Sequence, residues 1–238
     1  MMSITTGMLL AAGRGERMRP LTDTCPKPLL EISGRSMLDR ALDQMEAAGL
    51  TRIVVNACYR AGQVEQALAT RNGPCLFSRE SEALETGGGI CNALPLLGDK
   101  PFFVMNGDGV LENTDPSPFA RLAAAWNSAR MDALLLVLPV AKAHFFGSPG
   151  NFRLLPDGRL VHGTQEQPAD MAYIGLQILH PRLFHGIAPH AFPLRELYAK
   201  AAGAGRLFGL THTGTWLHVG TPKAYAEAPA LMEHLGIP

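Results

Sequence analysis

The chain has 238 residues, 47% of them hydrophobic, with 21 basic and 21 acidic side chains and a formal net charge of zero. That length and apolar content suit a single domain, residues 1–238, and exclude a disordered chain. Balanced charge without a basic stripe argues against a nucleic-acid partner. No apolar run is long enough to span a bilayer, the longest being the strand-sized Ala133 to Val140, so no membrane partner is expected.

From the N-terminus, Met1 to Gly7 carries neither a charged leader region nor a cleavage site, so no signal peptide is expected. Gly7 to Ala12 reads as a buried strand. Ser36 to Ala48 places Met37, Leu38, Ala41, Leu42 and Met45 at helical spacing and stops at Gly49. Arg52 to Cys58 is short and β-branched, a strand. A short helix is expected over Gln63 to Ala69, a strand over Cys75 to Ser78, and a helix over Ile90 to Leu97 opened by the glycines before it. Pro101 to Asn106 reads as a strand, Pro118 to Ala129 as a helix and Asp132 to Val140 as a strand.

The second half is less regular. Phe152 to His162 reads as a hairpin around Asp157-Gly158, and Met171 to Leu179 as a strand. Leu194 to Ala202 is a short helix; Arg206 to Thr211 and Thr215 to Val219 are strand-like. Thr221 caps a last helix with Pro222 in its first position. Alternating strands and helices predict an α/β fold, a mostly parallel sheet with helices on both faces. In such sheets ligands sit beyond the carboxyl ends of the strands, where Gly13-Arg14-Gly15 and Gly107-Asp108 fall. Cys25, Cys58, Cys75 and Cys91 form neither a C-x-x-C pair nor a zinc spacing and read as reduced thiols of a cytoplasmic protein.

The loop after the first strand is the most informative stretch. Gly13-Arg14-Gly15-Glu16-Arg17 offers backbone amides without side-chain bulk, a surface that can wrap phosphate oxygens. Arg17, Arg19 and Lys27 add cations. There is no G-x-x-x-x-G-K-[ST], and Met18 stands where a dinucleotide fingerprint needs its third glycine. A lone G-x-G is equally what a solvated surface loop offers. Pro26 and Pro28, however, restrict the backbone on both sides of Lys27 and can aim its ammonium.

Residues 10–30, LAAGRGERMRPLTDTCPKPLL, resemble the signature of the sugar nucleotidyltransferases, L-A-x-G-x-G-x-R-[LM]-x-P-L-T…P-K-P-L. Further segments follow in the family's order: Leu84 to Gly89 for the base, Val104 to Asp108 for a metal, then Gly150 to Arg153, Tyr173-Ile174-Gly175 and Trp216 to Thr221. The likeness spans most of the chain. It implies a Rossmann-like three-layer αβα sandwich of the GT-A-like kind with a small sugar-side β lobe. The nucleotide-binding half would cover about 1–110 and the sugar half about 111–238. Chain length and the LETGGG and GNFRL segments are most similar to the uridylyltransferase branch that acts on N-acetylmuramate-1-phosphate, in cell-wall recycling.

The resemblance implies attack by a sugar-1-phosphate oxygen on the α-phosphorus of UTP, with loss of pyrophosphate. Arg17, Lys27 and Asp108 would be the catalytic residues. Gly13, Gly15, Arg17 and Lys27 would meet the triphosphate, and Ala11, Ala12, Glu16, Glu85, Gly87, Gly88, Asn106, Asn151, Tyr173 and Gly175 would complete the binding site for nucleotide and sugar. Glu85 can touch base or sugar, or only favour the helix start; Asn151 and Tyr173 read equally well as a hairpin-edge polar residue and a core aromatic. Asp108 would hold Mg2+, unless it is only a turn former in Asn-Gly-Asp-Gly. Many family members carry a Glu-x-Pro-like segment with a Lys for the sugar phosphate where this chain has Gln165-Glu166-Gln167-Pro168, which leaves Arg153, Lys142 or the metal for that task.

His218 stands where the family usually has its second metal carboxylate. Imidazole suits softer ions, so three readings are open: His218 binds Mn2+ or Co2+ (or Zn2+), it meets phosphate while Asp108 and the triphosphate hold Mg2+, or the site is impaired. Another hexose-1-phosphate, dTTP or GTP, and a non-catalytic nucleotide-sugar-binding relative are the competing functions. Length without the long C-terminal extension of many relatives suggests a monomer or small homo-oligomer.

Overall fold

A computed structural model describes residues 4–237; Met1 to Ser3 of the N-terminal reading lie outside the described residues. The first apolar run becomes β1 (Thr6–Leu10), in which Met8 and Leu9 are fully buried. Beyond the glycine loop, a hairpin of β2 (Glu31–Ile32) and β3 (Arg35–Ser36) leads into α1 (Met37–Ala47). The Ser36 hydroxyl accepts from the Asp39 amide, giving that helix end a partner its own backbone lacks. Next come β4 (Arg52–Ala57), α2 (Ala61–Ala69), β5 (Cys75–Arg79), α3 (Glu85–Leu97) and β6 (Phe102–Asn106). β7 (Gly109–Leu111), α4 (Pro118–Ala125), β8 (Ala133–Pro139), β9 (Ala143–His144) and the hairpin of β10 (Arg153–Leu154) and β11 (Leu160–Val161) follow. The chain continues through β12 (Met171–Leu179), α5 (Arg195–Gly203), β13 (Leu207–Thr211), β14 (Trp216–His218) and α6 (Pro222–Leu235).

The main sheet has the order β13-β8-β12-β6-β1-β4-β5. β6, β1, β4 and β5 are mutually parallel, as are β8 and β13, while β12 runs antiparallel to both β6 and β8. One apolar layer joins Leu9, Val55 and Phe103 to α1, α2 and α4. The opposite layer joins Met8, Val54 and Val104 to α3 and α5. The expected three-layer αβα sandwich with a mostly parallel sheet is therefore present. A separate core of Ile32, Val110, Leu217, Val219 and Met232 seats α6 on the small sheet β7-β14-β9. That sheet sets β14 beside the segment that leaves β6.

Two expectations change. The helix foreseen to Ala129 stops at Ala125, where Trp126 turns extended and the Asn127 side chain accepts from the Ala129 amide in place of a helical carbonyl. Gly87 to Gly89, read as preceding a helix at Ile90, lie inside α3. In β12 the register with β8 shifts between Tyr173 and Gln177, a bulge that holds Gly175 at φ +87°.

Candidate active site

The parallel strands β6, β1, β4 and β5 end on one side of the sheet, and their carboxyl ends wall a cavity of about 530 Å³. β1 contributes the loop 11–17, β6 the run Asn106 to Asp108, β4 Asn56, and Glu80 follows β5. Lys27 and the start of α3 close the wall.

Local chain chemistry shapes the loop. Gly15 sits at φ +65°, and a Cβ there would lie 2.9 Å from Thr22 Cγ2 and 3.2 Å from Lys27 Cβ. The Thr22 hydroxyl donates to the Gly15 carbonyl at 2.8 Å. At Gly13, by contrast, a Cβ would meet nothing within 4 Å: its bare backbone faces open space. Pro26 is extended and Lys27 opens a single 3-10 turn, Lys27–Leu29, with Pro28 inside it.

Lys27 Nζ stands 3.3 Å from Asp108 Oδ2. Burial works against ionisation of Asp108, but Lys27 foremost, then His218 and Arg17, outweigh it and hold the carboxyl below its usual range. His218 pairs with Gly109 across β14 and β7, and the Val219 amide donates to the Asp108 carbonyl at 3.1 Å. Burial lowers the His218 pKa, with Lys27 and Arg17 acting the same way against the pull of Asp108. Its imidazole is thus neutral near pH 7. Asp108 and His218 supply one hard oxygen and one imidazole. Among the described residues no three His, Cys, Asp or Glu converge to hold an ion.

Behind the loop lies a buried strut that sequence reasoning missed. The Ala11 amide donates to Asn56 Oδ1 at 3.0 Å, Asn56 Nδ2 donates to Glu80 Oε1 at 2.6 Å, and the Leu84 amide donates to Glu80 Oε2 at 3.3 Å. Asn56 is 1% exposed and Glu80 4%. Burial raises the Glu80 pKa, with the Asn56 and Leu84 hydrogen bonds acting against it. Both side chains stand at carboxyl ends of parallel strands, the signal that could have found them.

The structure brings Ala11, Ala12, Gly13, Gly15, Glu16, Arg17, Lys27, Glu85, Asn106 and Asp108 to the cavity wall. Gly175 stands behind it, where a Cβ would lie 3.1 Å from Asn106 Cβ. Gly87 and Gly88, expected at the nucleoside, are not among the residues walling the cavity. Both amides donate to the Phe192 carbonyl, at 2.9 and 3.2 Å. A Cβ on Gly87 would meet Phe192 Cε2 at 2.3 Å, and one on Gly88 the His190 carbonyl oxygen at 2.0 Å. These glycines admit the 190–192 segment. Asn151 is exposed and turns its Oδ1 to the Tyr173 amide at 2.8 Å. The buried Tyr173 hydroxyl is raised well above its ordinary pKa, first by burial and also by the Tyr198 hydroxyl and the charge of Asp108. Asn151, Tyr173, Arg153 and Lys142 are not among the residues walling the cavity.

Residues 6–234 match the sequence model of the family described as Nucleotidyl transferase. The chain is 37% identical over 229 residues to the N-acetylmuramate alpha-1-phosphate uridylyltransferase of Caulobacter vibrioides, covering 94% of this chain and 95% of that protein. It is 39% identical over 232 residues to the protein of the same name from Neisseria meningitidis serogroup B, covering 94% and 96%. Its fold matches a UDP-glucose pyrophosphorylase complexed with UDP-glucose at a TM-score of 0.81 and 21% identity, over 98% of this chain and 99% of that one.

Proposed function

The chain belongs to the nucleotidyl transferase family, and on that footing we propose that it condenses UTP with N-acetylmuramate-1-phosphate to UDP-N-acetylmuramate and pyrophosphate. Similarity over nearly the full length of two uridylyltransferases of that name supports the substrates. The observation that carries the chemistry is a bare glycine loop, Arg17, Lys27 and Asp108 on one cavity wall.

In this reading the amides of Gly13 and Gly15 meet the triphosphate, and Arg17 takes the β- and γ-phosphates as a forked donor. Lys27 neutralises the α-phosphate oxygens. An oxygen of the sugar phosphate forms a bond to the α-phosphorus, the bond from that phosphorus to its bridging oxygen breaks, and pyrophosphate carries the electron pair away. Ala11, Ala12, Leu84 and Glu85 face the nucleoside; Asn106, backed by Gly175, faces the ribose or sugar. Asn151 and Tyr173 act from behind the wall, by orienting β12.

A Mg2+ site built from one carboxylate and substrate phosphates is a standard arrangement, and Asp108 fits it. When bound, the ion supplies positive charge to the phosphate oxygens. His218, neutral and beside Asp108, is placed to meet phosphate or to favour Mn2+ or Co2+. We assign the chain to the cytoplasm, in cell-wall recycling, as a monomer or small oligomer. No helix among the described residues is long and apolar enough to cross a membrane.

Pyrophosphate release across UTP, dTTP and GTP, each with N-acetylmuramate-, glucose- and mannose-1-phosphate, tests the proposal. It expects the highest kcat/KM for UTP with N-acetylmuramate-1-phosphate. A higher value for another pair overturns the substrate assignment, and no release with any pair overturns the activity.

A further inference from the structure

Asp108 is the carboxylate assigned to a metal, yet within the protein its counter-ion is already Lys27, at 3.3 Å. The lysine is not a loosely held surface chain. Its side chain is 12% exposed, it leaves a turn fixed by prolines on both sides, and its Cβ lies against Gly15. Arg17 adds a second positive influence on the same carboxylate. His218, across the β7–β14 pair, brings no negative charge of its own. Around Asp108 the protein therefore presents one negative group against two positive ones. A divalent cation approaching that set is opposed by both and gains a single charged donor. A triphosphate reverses the balance: its oxygens draw Lys27 and Arg17 and add hard donors beside Asp108.

We propose that Lys27 is a metal-excluding counter-ion, neutralising Asp108 in the nucleotide-free protein and releasing it only to triphosphate oxygens, so that the divalent ion enters with the nucleotide and not before it. The inference rests on the reading of the cavity as a triphosphate site. It makes metal loading conditional on the correct anion. Free Mg2+ then does not occupy the site ahead of UTP.

Binding of Mn2+ to the whole chain, followed by electron spin resonance of the unbound ion, tests this without any turnover. Wild type alone leaves Mn2+ free. Lys27→Met binds it about tenfold tighter or more, the scale on which one neighbouring charge alters a carboxylate's proton affinity. Lys27→Arg, which keeps the charge, behaves as wild type. Adding α,β-methylene-UTP to wild type raises Mn2+ on the protein side of an equilibrium dialysis above the level of analogue and ion without protein, and Asp108→Asn abolishes that excess. Tight Mn2+ uptake by nucleotide-free wild type, or equal affinity in Lys27→Met, overturns the exclusion role and leaves the triphosphate site standing. No protein-bound Mn2+ even with the analogue overturns the site reading as well. Should Lys27→Met fail to fold, Lys27→Gln is read by the same comparison.

Discussion

Replacing Asn56 by leucine removes the middle of the strut between the glycine loop and the start of α3. The change is nearly volume-neutral, so no cavity penalty enters. Two groups lose partners: the Ala11 amide, bonded at 3.0 Å, and Glu80 Oε1, bonded at 2.6 Å. A buried amide left unpaired costs about 1–3 kcal/mol, and a lost hydrogen bond to a charged group about 1.5–3 kcal/mol. The second cost is capped, because Glu80 is already pushed toward its protonated form by burial and can take up a proton. Asn56→Leu should therefore lose about 3 kcal/mol in guanidinium unfolding at pH 7. Because the strut joins Ala11 to Leu84, the KM for UTP should rise more than kcat falls. Asn56→Leu with Glu80→Met should cost less than the sum of the single changes by about 1–2 kcal/mol, since each single change mainly orphans its partner. A loss below about 0.5 kcal/mol in the single variant, or strict additivity in the double, would refute the strut.

The glycines separate packing from ligand approach. Gly88→Ala drives a Cβ into the His190 carbonyl and should destabilise the fold by about 1–3 kcal/mol, read as a lower unfolding midpoint. Gly13→Ala meets nothing in the chain and should leave stability within about 0.5 kcal/mol while raising the KM for UTP; equal stability losses at both positions would contradict this. If His218 meets phosphate, wild type shows no advantage with Mn2+ or Co2+ over Mg2+; a preference for the softer ions that vanishes in His218→Ala would mark it as a ligand. Glu80 has a raised folded pKa, so its contribution to stability is fully present below its unfolded value and is lost as pH rises through the folded one. The stability of Glu80→Gln relative to wild type should accordingly fall as pH drops from neutral into the carboxylate range. A difference independent of pH would contradict the burial of its charge.

What was legible in the sequence is what local chemistry encodes. Apolar periodicity located α1, and the β-branched run located β4, each within a residue or two. The glycine loop and proline-flanked Lys27 were readable because their residues are neighbours in the chain. Asn56 and Glu80 were not, because their meaning comes from the parallel pairing of β1, β4 and β5. Gly87 and Gly88 misled for the same reason: the group that demands their lack of a side chain arrives from residues 190–192. In the small lobe β14 was readable at Thr215 to Val219, whereas the short β7 and β9 show no period at all. Yet β7 and β14 are what carry His218 to Asp108.

Uridylyl transfer is visible in the phosphorus NMR spectrum of one reaction. With the chain, Mg2+, UTP and N-acetylmuramate-1-phosphate, the UTP and sugar-phosphate resonances should disappear in equal amounts. They should be replaced by one nucleotide-sugar diphosphate and an equal amount of pyrophosphate, with Lys27→Met silent. Formation of UMP and pyrophosphate with the sugar phosphate untouched, or an unchanged spectrum, would contradict it.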